Sequence, residues 1–165
     1  MGGCSKWLRF AAQDRNFTHN ICTFISDMVV YQRFGRHDFQ YRQFGEGVKE
    51  RVSTASIGIN IFDFFHSNIL EVSEYWWNAL LDHPCGGVTE YDIQYPNGIQ
   101  RDLISILLPV LDKKYSATMM VGLNKVLAQT GREAQTGKVV IGQKSATATF
   151  FDIGFGVPDK GEIRP

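Results

Sequence analysis

Hydrophobic and polar residues alternate along much of this chain with the period of two that is typical of β-strands. Seven spans are predicted to be strands on this basis: 18–31, 53–65, 88–95, 99–111, 115–121, 138–141 and 144–155. The apolar run within 18–31 fits a helix as well as a strand, and its β-branched and aromatic residues favour the strand. Pro96-Asn97-Gly98 and Asp112-Lys113-Lys114 predict tight turns between neighbouring strands.

One segment has the start signals and the period of a helix. Asn68 is a predicted N-cap, and Glu71 three residues later completes a box-like cap. The apolar residues that follow share one helical face: Ile69, Val72, Trp76, Ala79 and Leu80. Pro84 and the two glycines after Cys85 end the segment, so we predict a helix over about 68–81 that packs one side against a sheet. A second short helix or a loop is predicted for 124–134.

Residues 32–51 interleave aromatic side chains with polar and basic ones and contain three glycines. This pattern predicts a long loop or an extended arm with polar edges. Tyr, Phe and Arg are enriched in protein–protein contacts. The candidate interface residues are Arg33, Phe34, Arg36, Phe39, Tyr41, Arg42 and Phe44.

These elements predict an α+β fold that is mostly β. We expect an antiparallel barrel-like or sandwich-like sheet with one main flanking helix and extended arms. Because no linker or repeat divides the sequence, residues 1–165 are predicted to form one domain. Residues 1–16 are predicted to be an amino-terminal extension and residues 157–165 a carboxy-terminal arm.

Composition narrows the possible partners. The chain has 17 Lys and Arg residues against 17 Asp and Glu, so no net charge favours nucleic acid or an anionic membrane. The longest apolar run, 103–111, is far shorter than the ~20 residues that a bilayer requires. Three cysteines without a CxxC pair favour a reduced cytosolic compartment over a disulfide framework or a zinc site.

No catalytic, cofactor-binding or metal-binding constellation is evident. Residues 131–138 resemble a phosphate-binding loop, but five residues separate the glycines and Val139 follows Lys138 where Ser or Thr is needed. His83 and Cys85 lie close in sequence, yet no third group would orient them as a nucleophilic pair. The other histidines and the carboxylates show no ligand or acid–base spacing. We therefore predict a protein that is not an enzyme and has no cofactor.

The order and spacing of the elements over residues 17–156 resemble the tail tube proteins of contractile-tailed phages and of related tube-like secretion systems. The matching elements are the strand 53–62, the helix 68–81, two long strands joined at 112–114, a strand end at Gly122-Leu123, and a last strand over 145–155. This chain departs from that pattern at Leu123-Asn124-Lys125, where such proteins often have an aromatic–proline pair.

The resemblance implies a structural subunit of a phage tail tube or a related tube or baseplate assembly. Six copies would form a ring, and stacked rings would surround a lumen that conducts DNA or protein. The segment 32–51 would contact the neighbouring ring. The implied partners are copies of the chain, other tail or baseplate proteins, and DNA that passes without sequence-specific binding. The implied location is the virion, after synthesis in the host cytoplasm.

Two other functions stay open at the level of sequence. Aromatic residues that stack on bases, interleaved with arginines that contact phosphates, could bind single-stranded nucleic acid along 31–44. Alternatively, the chain is an enzyme or toxin domain whose site is assembled from residues far apart in sequence.

Overall fold

A computed structural model of the protein describes residues 24–114, 116–131 and 137–158. The strands are β1 (Met28–Gly35), β2 (Asp38–Phe44), β3 (Gly86–Gln94), β4 (Gln100–Leu111), β5 (Ala117–Gln129) and β6 (Val140–Phe151). The helices are α1 (Glu46–Arg51) and α2 (Ser67–Asp82), and Ile61–Phe64 form a 3-10 turn. The predicted class, α+β and mostly β, is confirmed. No helix among the described residues has the length and apolarity needed to cross a membrane.

The six strands form one antiparallel sheet in the order β2-β1-β5-β4-β3-β6. The sheet curls into a half-barrel, and α2 packs against its concave face, as predicted for a barrel-like sheet with one main helix. Hairpins connect β1 to β2, β3 to β4 and β4 to β5, so most pairings are local. The pairing of β1 with β5 joins strands that are far apart in sequence.

A single segment, 58–66, connects the two edges of the half-barrel. At one end Asn60 forms a bridge with Gln40 of β2, and at the other Phe65 forms a bridge with Ile141 of β6. The backbone N–H of His66 also donates to the carbonyl of Ile141, at 2.9 Å. The segment therefore links the two sheet edges around the core and leads directly into α2.

Helix α2 confirms the helix predicted over 68–81, with a different cap. Nδ1 of His66 accepts a hydrogen bond from the Asn68 N–H at 3.3 Å, so His66 is the N-cap and Asn68 lies in the first turn. Farther along, Trp76 approaches the backbone of β3 closely. A Cβ on Gly87 would lie 2.5 Å from Cζ2 of Trp76, so only glycine permits this approach.

Trp77 is the centre of an aromatic cluster in the core. Its ring meets Tyr31 of β1 and Phe39 of β2 edge to face, with centroids 4.8 and 5.4 Å away. It meets Phe62 and Phe65 of the closing segment in the same way, at 5.5 and 6.2 Å. Edge-to-face pairs stabilise by about 0.5–1.5 kcal/mol each beyond the burial of their area. The cluster therefore joins α2 to both sides of the half-barrel.

The prediction of a long loop or arm over 32–51 is wrong. These residues form the end of β1, the whole of β2 and helix α1. Phe39 and Tyr41 are fully buried, while Gln40 and Arg42 between and beyond them are not. The strand period is thus present in this segment. The glycines and charged residues mark the hairpin turn and the start of α1 and do not mark a continuous loop.

The predicted strand over 53–65 is also wrong, and turns and the 3-10 turn occupy it. The Asn60 side chain accepts from the Phe62 N–H at 3.3 Å and so begins the 3-10 turn, which interrupts the apolar alternation. Alternation places three isoleucines on one strand face, Ile57, Ile59 and Ile61. In the structure Ile57 is exposed, Ile59 is half-buried and Ile61 is buried.

Long-range pairing extends strands beyond their predicted ends. Residues 124–129, predicted as helix or loop, continue β5, because Asn124 and Lys125 pair with Ser105 and Ile104 of β4. The two predicted closing strands, 138–141 and 144–155, are replaced by the single strand β6. The predicted extension 1–16 lies outside the described residues, and so does the arm 157–165 except for its first two residues.

We expect Trp77→Ala to lower the free energy of unfolding by about 3–5 kcal/mol, because it removes a buried indole that contacts four other rings. Phe34→Ala is the matched control, since Phe34 is 55% exposed; its effect should stay within about 0.5 kcal/mol. Chemical denaturation followed by circular dichroism measures both. Equal losses for the two variants would contradict the central role of Trp77.

Candidate functional site

A pocket of about 60 Å³ lies between α2 and the concave face of the sheet. Its wall is mostly apolar and comes from both layers. The apolar lining includes Ile61, Phe65, Ile69, Val72, Trp76, Leu107, Ile141, Ala146 and Ala148. Thr147, which is exposed, lies at its margin on β6.

The floor of the pocket carries a buried polar cluster on three neighbouring strands. The Tyr91 hydroxyl lies 3.1 Å from Oγ of Ser105 and donates to Oδ1 of Asn124 at 3.2 Å. The Ser105 hydroxyl donates to the same Oδ1. Nδ2 of Asn124 donates to the carbonyl of Asp27 at 3.2 Å, which fixes the orientation of the amide. The three side chains are therefore positioned by one another and by the backbone before β1.

This cluster presents hydrogen-bond acceptors to the pocket. Each hydroxyl has one hydrogen, and the contacts within the cluster use both of them. Lone pairs on the Tyr91 and Ser105 oxygens remain. Burial raises the pKa of the Tyr91 phenol, so it stays neutral at physiological pH. A molecule that reaches the floor is favoured if it brings a hydrogen-bond donor.

Trp76, one of the residues that line the pocket, has an unused hydrogen-bond donor. Trp76 is 2% exposed, and its indole N–H is buried without a hydrogen-bond partner among the described residues. An unsatisfied buried donor costs about 1–3 kcal/mol, and such groups are uncommon in native proteins. A ligand or a water molecule that accepts a hydrogen bond from this indole would remove that cost.

Sequence analysis did not identify Tyr91, Ser105 and Asn124 as a site. A signal is present at Ser105, which interrupts the apolar run of β4 at an inward-facing position. Asn124 gave no comparable signal, because the alternation around it was assigned to a helix or loop. The three meet only because β3, β4 and β5 are adjacent in the sheet.

The predicted interface residues do not form one surface. Phe39 and Tyr41 face the core, and Phe44 packs edge to face on Tyr41 with centroids 5.6 Å apart. Arg33 is held against α2, where Nη1 contacts Oδ1 of Asp82 at 2.6 Å.

Three members of the predicted set, Phe34, Arg36 and Arg42, are exposed along the β1–β2 hairpin. For these three the interface role stays a prediction. The burial of Phe39 and Tyr41 leaves their rings unable to stack on a partner or on nucleic acid bases while the core is intact.

A second, open cleft of about 430 Å³ lies on the other side of α2, beside the β1–β2 turn. Ion pairs and hydrogen bonds connect α2 to the β1–β2 hairpin beside this cleft. Nδ1 of His37 lies 2.7 Å from Oε2 of Glu74, and Asp82 pairs with Arg33. The buried Asn78 donates to the carbonyls of Arg36 and Glu74. We interpret this cleft as the junction that fastens the hairpin to the helix.

Cys85 is buried beneath the end of α2. Burial, with the Asp152 carboxylate as a second cause, raises the pKa of its thiol to about 11. The thiol is therefore protonated at neutral pH and is a poor nucleophile. Among the described residues, no group of three or more His, Cys, Asp or Glu side chains could hold a metal ion. Residues 132–136, within the segment that resembles a phosphate-binding loop, lie outside the described residues.

Comparison with known proteins gives little guidance on function. No protein-family model matches the sequence, and no curated protein matches it. The solved structures that are similar include the PAS domain of a protein from Colwellia psychrerythraea, with a TM-score of 0.49 and 10% sequence identity. The match covers 69% of this chain and 98% of that chain. A likeness at this level assigns no function to this chain.

We expect Asn124→Leu to destabilise the fold by about 1–3 kcal/mol, because it leaves one of the two buried hydroxyl hydrogens without an acceptor. Lys125→Leu is the control on the same strand, since Lys125 is exposed, and it should change stability by less than about 0.5 kcal/mol. Thermal and denaturant unfolding measure both variants. An Asn124→Leu variant that is as stable as the native protein would show that the cluster does not organise the pocket floor.

Proposed function

We propose that this protein is a binding domain for a small, mostly apolar molecule that carries one hydrogen-bonding group, held in the pocket beneath α2. The observation that carries the proposal is the pairing of apolar walls with unused hydrogen-bonding capacity. The floor offers the lone pairs of Tyr91 and Ser105, and the wall includes the unpartnered indole of Trp76. An apolar pocket with a few convergent polar groups is the usual form of a small-molecule site.

The size of the pocket limits the ligand. Cavities that bind benzene measure about 150 Å³, and this one holds about 60 Å³. In this conformation the pocket therefore accepts a molecule of only a few non-hydrogen atoms. A hydroxyl group can both donate and accept, so a small alcohol matches the polar groups better than a hydrocarbon or an ether does.

Binding would also be communicated through α2. The helix lines the pocket through Ile69 and Trp76, and its outer side is fastened to the β1–β2 hairpin by Asn78 and by the Arg33–Asp82 ion pair. A ligand that displaces the helix would disturb those outer contacts. The hairpin is thus the surface on which occupancy would be detected.

We expect 2-propanol, as a probe, to shift the indole N–H resonance of Trp76 in a saturable manner in ¹H–¹⁵N NMR titrations. Ala148→Leu fills the pocket from β6 and should abolish the saturable shift. Ala128→Leu makes the same change at an exposed position of β5 and should leave it intact. Propane at equal concentration should bind more weakly, since it cannot hydrogen-bond. Equal responses in both leucine variants, or no response in the native protein, would overturn the proposal.

We also propose, as a second candidate, a self-assembling structural subunit of the tail tube type, the class that the sequence pattern resembles, although the strand predicted over 53–62 is absent from the fold. The supporting observation is a long edge strand: β6 has twelve residues and, among the described residues, pairs only with β3 apart from the bridge at Ile141. Open strand edges add a strand from another chain readily. Exposed Phe34, Arg36 and Arg42 provide side chains suited to a protein contact.

For this second candidate, we expect rings or filaments in negative-stain images and a concentration-dependent mass by light scattering. Phe34→Asp should lower the assembled fraction several-fold, because it places a charge in the proposed contact. Leu127→Asp is the control, as Leu127 is also exposed but lies near the end of β5, beyond the residues that pair with β1. A monomer at every accessible concentration would exclude self-assembly and would leave the ligand proposal unaffected.

A further inference from the structure

Toward one end, the outer, convex face of the sheet is apolar across four strands. The pairing registers place nine apolar residues at neighbouring outward positions: Met28, Val30, Val88, Ile106, Leu108, Val110, Met119, Val121 and Leu123. We call this set the outer apolar face. Ile106, Leu108 and Val110 on β4 are 40%, 37% and 47% exposed.

An apolar outer face is unusual for a sheet whose outer side is exposed to solvent. Antiparallel sheets with one solvated face normally alternate apolar inward positions with polar outward ones. Here the inward neighbours, such as Leu107 and Met120, are fully buried, and the outward neighbours are apolar as well. A strand that is apolar on both sides is typical of a sheet covered on both faces. The outer apolar face therefore requires a cover that the described elements do not supply.

The chain itself contains a suitable cover. Residues 1–23 precede the described part and include Trp7, Phe10, Phe17 and Ile21. The intervals between them are three, seven and four residues, which would place all four side chains on one side of a helix. Polar residues fill most of the intervening positions, so the segment has one apolar side to bury.

The point at which residues 1–23 join the fold favours a cover that comes from the same chain. The described chain begins at Phe24, four residues before Met28, which is itself part of the outer apolar face. Phe24 and Ile25 are each 53% exposed and continue the apolar pattern toward the sheet. A helix of fifteen residues is about 22 Å long, and four strands span about 14 Å across a sheet. The segment is therefore long enough to cross the face without a linker.

We propose that residues 7–21 pack across the outer apolar face of the same molecule, with Trp7, Phe10, Phe17 and Ile21 directed at β4 and β5. This surface lies on the opposite side of the sheet from the ligand pocket, so the proposal is independent of the proposed function. The segment would complete a three-layer arrangement of amino-terminal segment, sheet and α2.

Photocrosslinking in the full chain tests this packing. Leu108→p-benzoylphenylalanine places a photoreactive group on the outer apolar face, and peptide mass spectrometry should locate its crosslinks within residues 7–21. His37→p-benzoylphenylalanine is the control, because His37 is exposed beside α2 on the other side of the sheet. It should give no crosslink to that segment. Trp7→Ser with Phe17→Ser should lower the Leu108 crosslink yield several-fold while the fold is retained by circular dichroism.

Mixing ¹⁴N- and ¹⁵N-labelled protein before illumination separates the possible sources of the cover. Crosslinks in which both peptides carry the same isotope are expected, because the segment and the sheet belong to one molecule. Mixed-isotope crosslinks as the main product would overturn the proposal and show that a second copy covers the face. Crosslinks from position 108 that avoid residues 7–21 altogether would also overturn it.

Discussion

The fold depends on the contact of Trp77 with aromatic rings from separate parts of the chain. Tyr31 and Phe39 bring β1 and β2 to the indole, and Phe62 and Phe65 bring the segment that joins the two sheet edges. A half-barrel alone has two open edges and an unfilled concave side. The Trp77 cluster fills that side and holds the closing segment in place, so the helix, the sheet and the closure are stabilised together.

The pocket follows from that arrangement. While Trp77 fixes one side of α2, the adjacent Trp76 lies over β3, where Gly87 allows close approach. Between these contacts and β6 the helix and sheet do not meet completely, and a small space remains above Tyr91, Ser105 and Asn124. The polar cluster satisfies its own hydrogens, so the floor is stable when empty. The same geometry leaves acceptors and one indole donor for a molecule that enters.

The two faces of the sheet differ in the residues that they present. The concave face builds the core and the pocket, and its polar residues are few and mutually bonded. On the convex face, nine apolar residues of β1, β3, β4 and β5 offer a broad surface to another layer. The β1–β2 hairpin stands apart from both, fastened to α2 by ion pairs and hydrogen bonds that involve Arg33 and Asn78. The proposed ligand binding, layer packing and partner contact therefore involve different surfaces.

The sequence by itself determined the fold class, the main helix over 68–81 and the strands near 88–95 and 99–111, because local periodicity reports which residues face a core. It did not determine the hairpin within 32–51 or the full length of β5, since glycines and charges obscured the period there and distant strands completed the pairing. Only the tertiary structure decided the site. Tyr91, Ser105 and Asn124 carry no shared local pattern, and they form one cluster because sheet order places β3, β4 and β5 side by side.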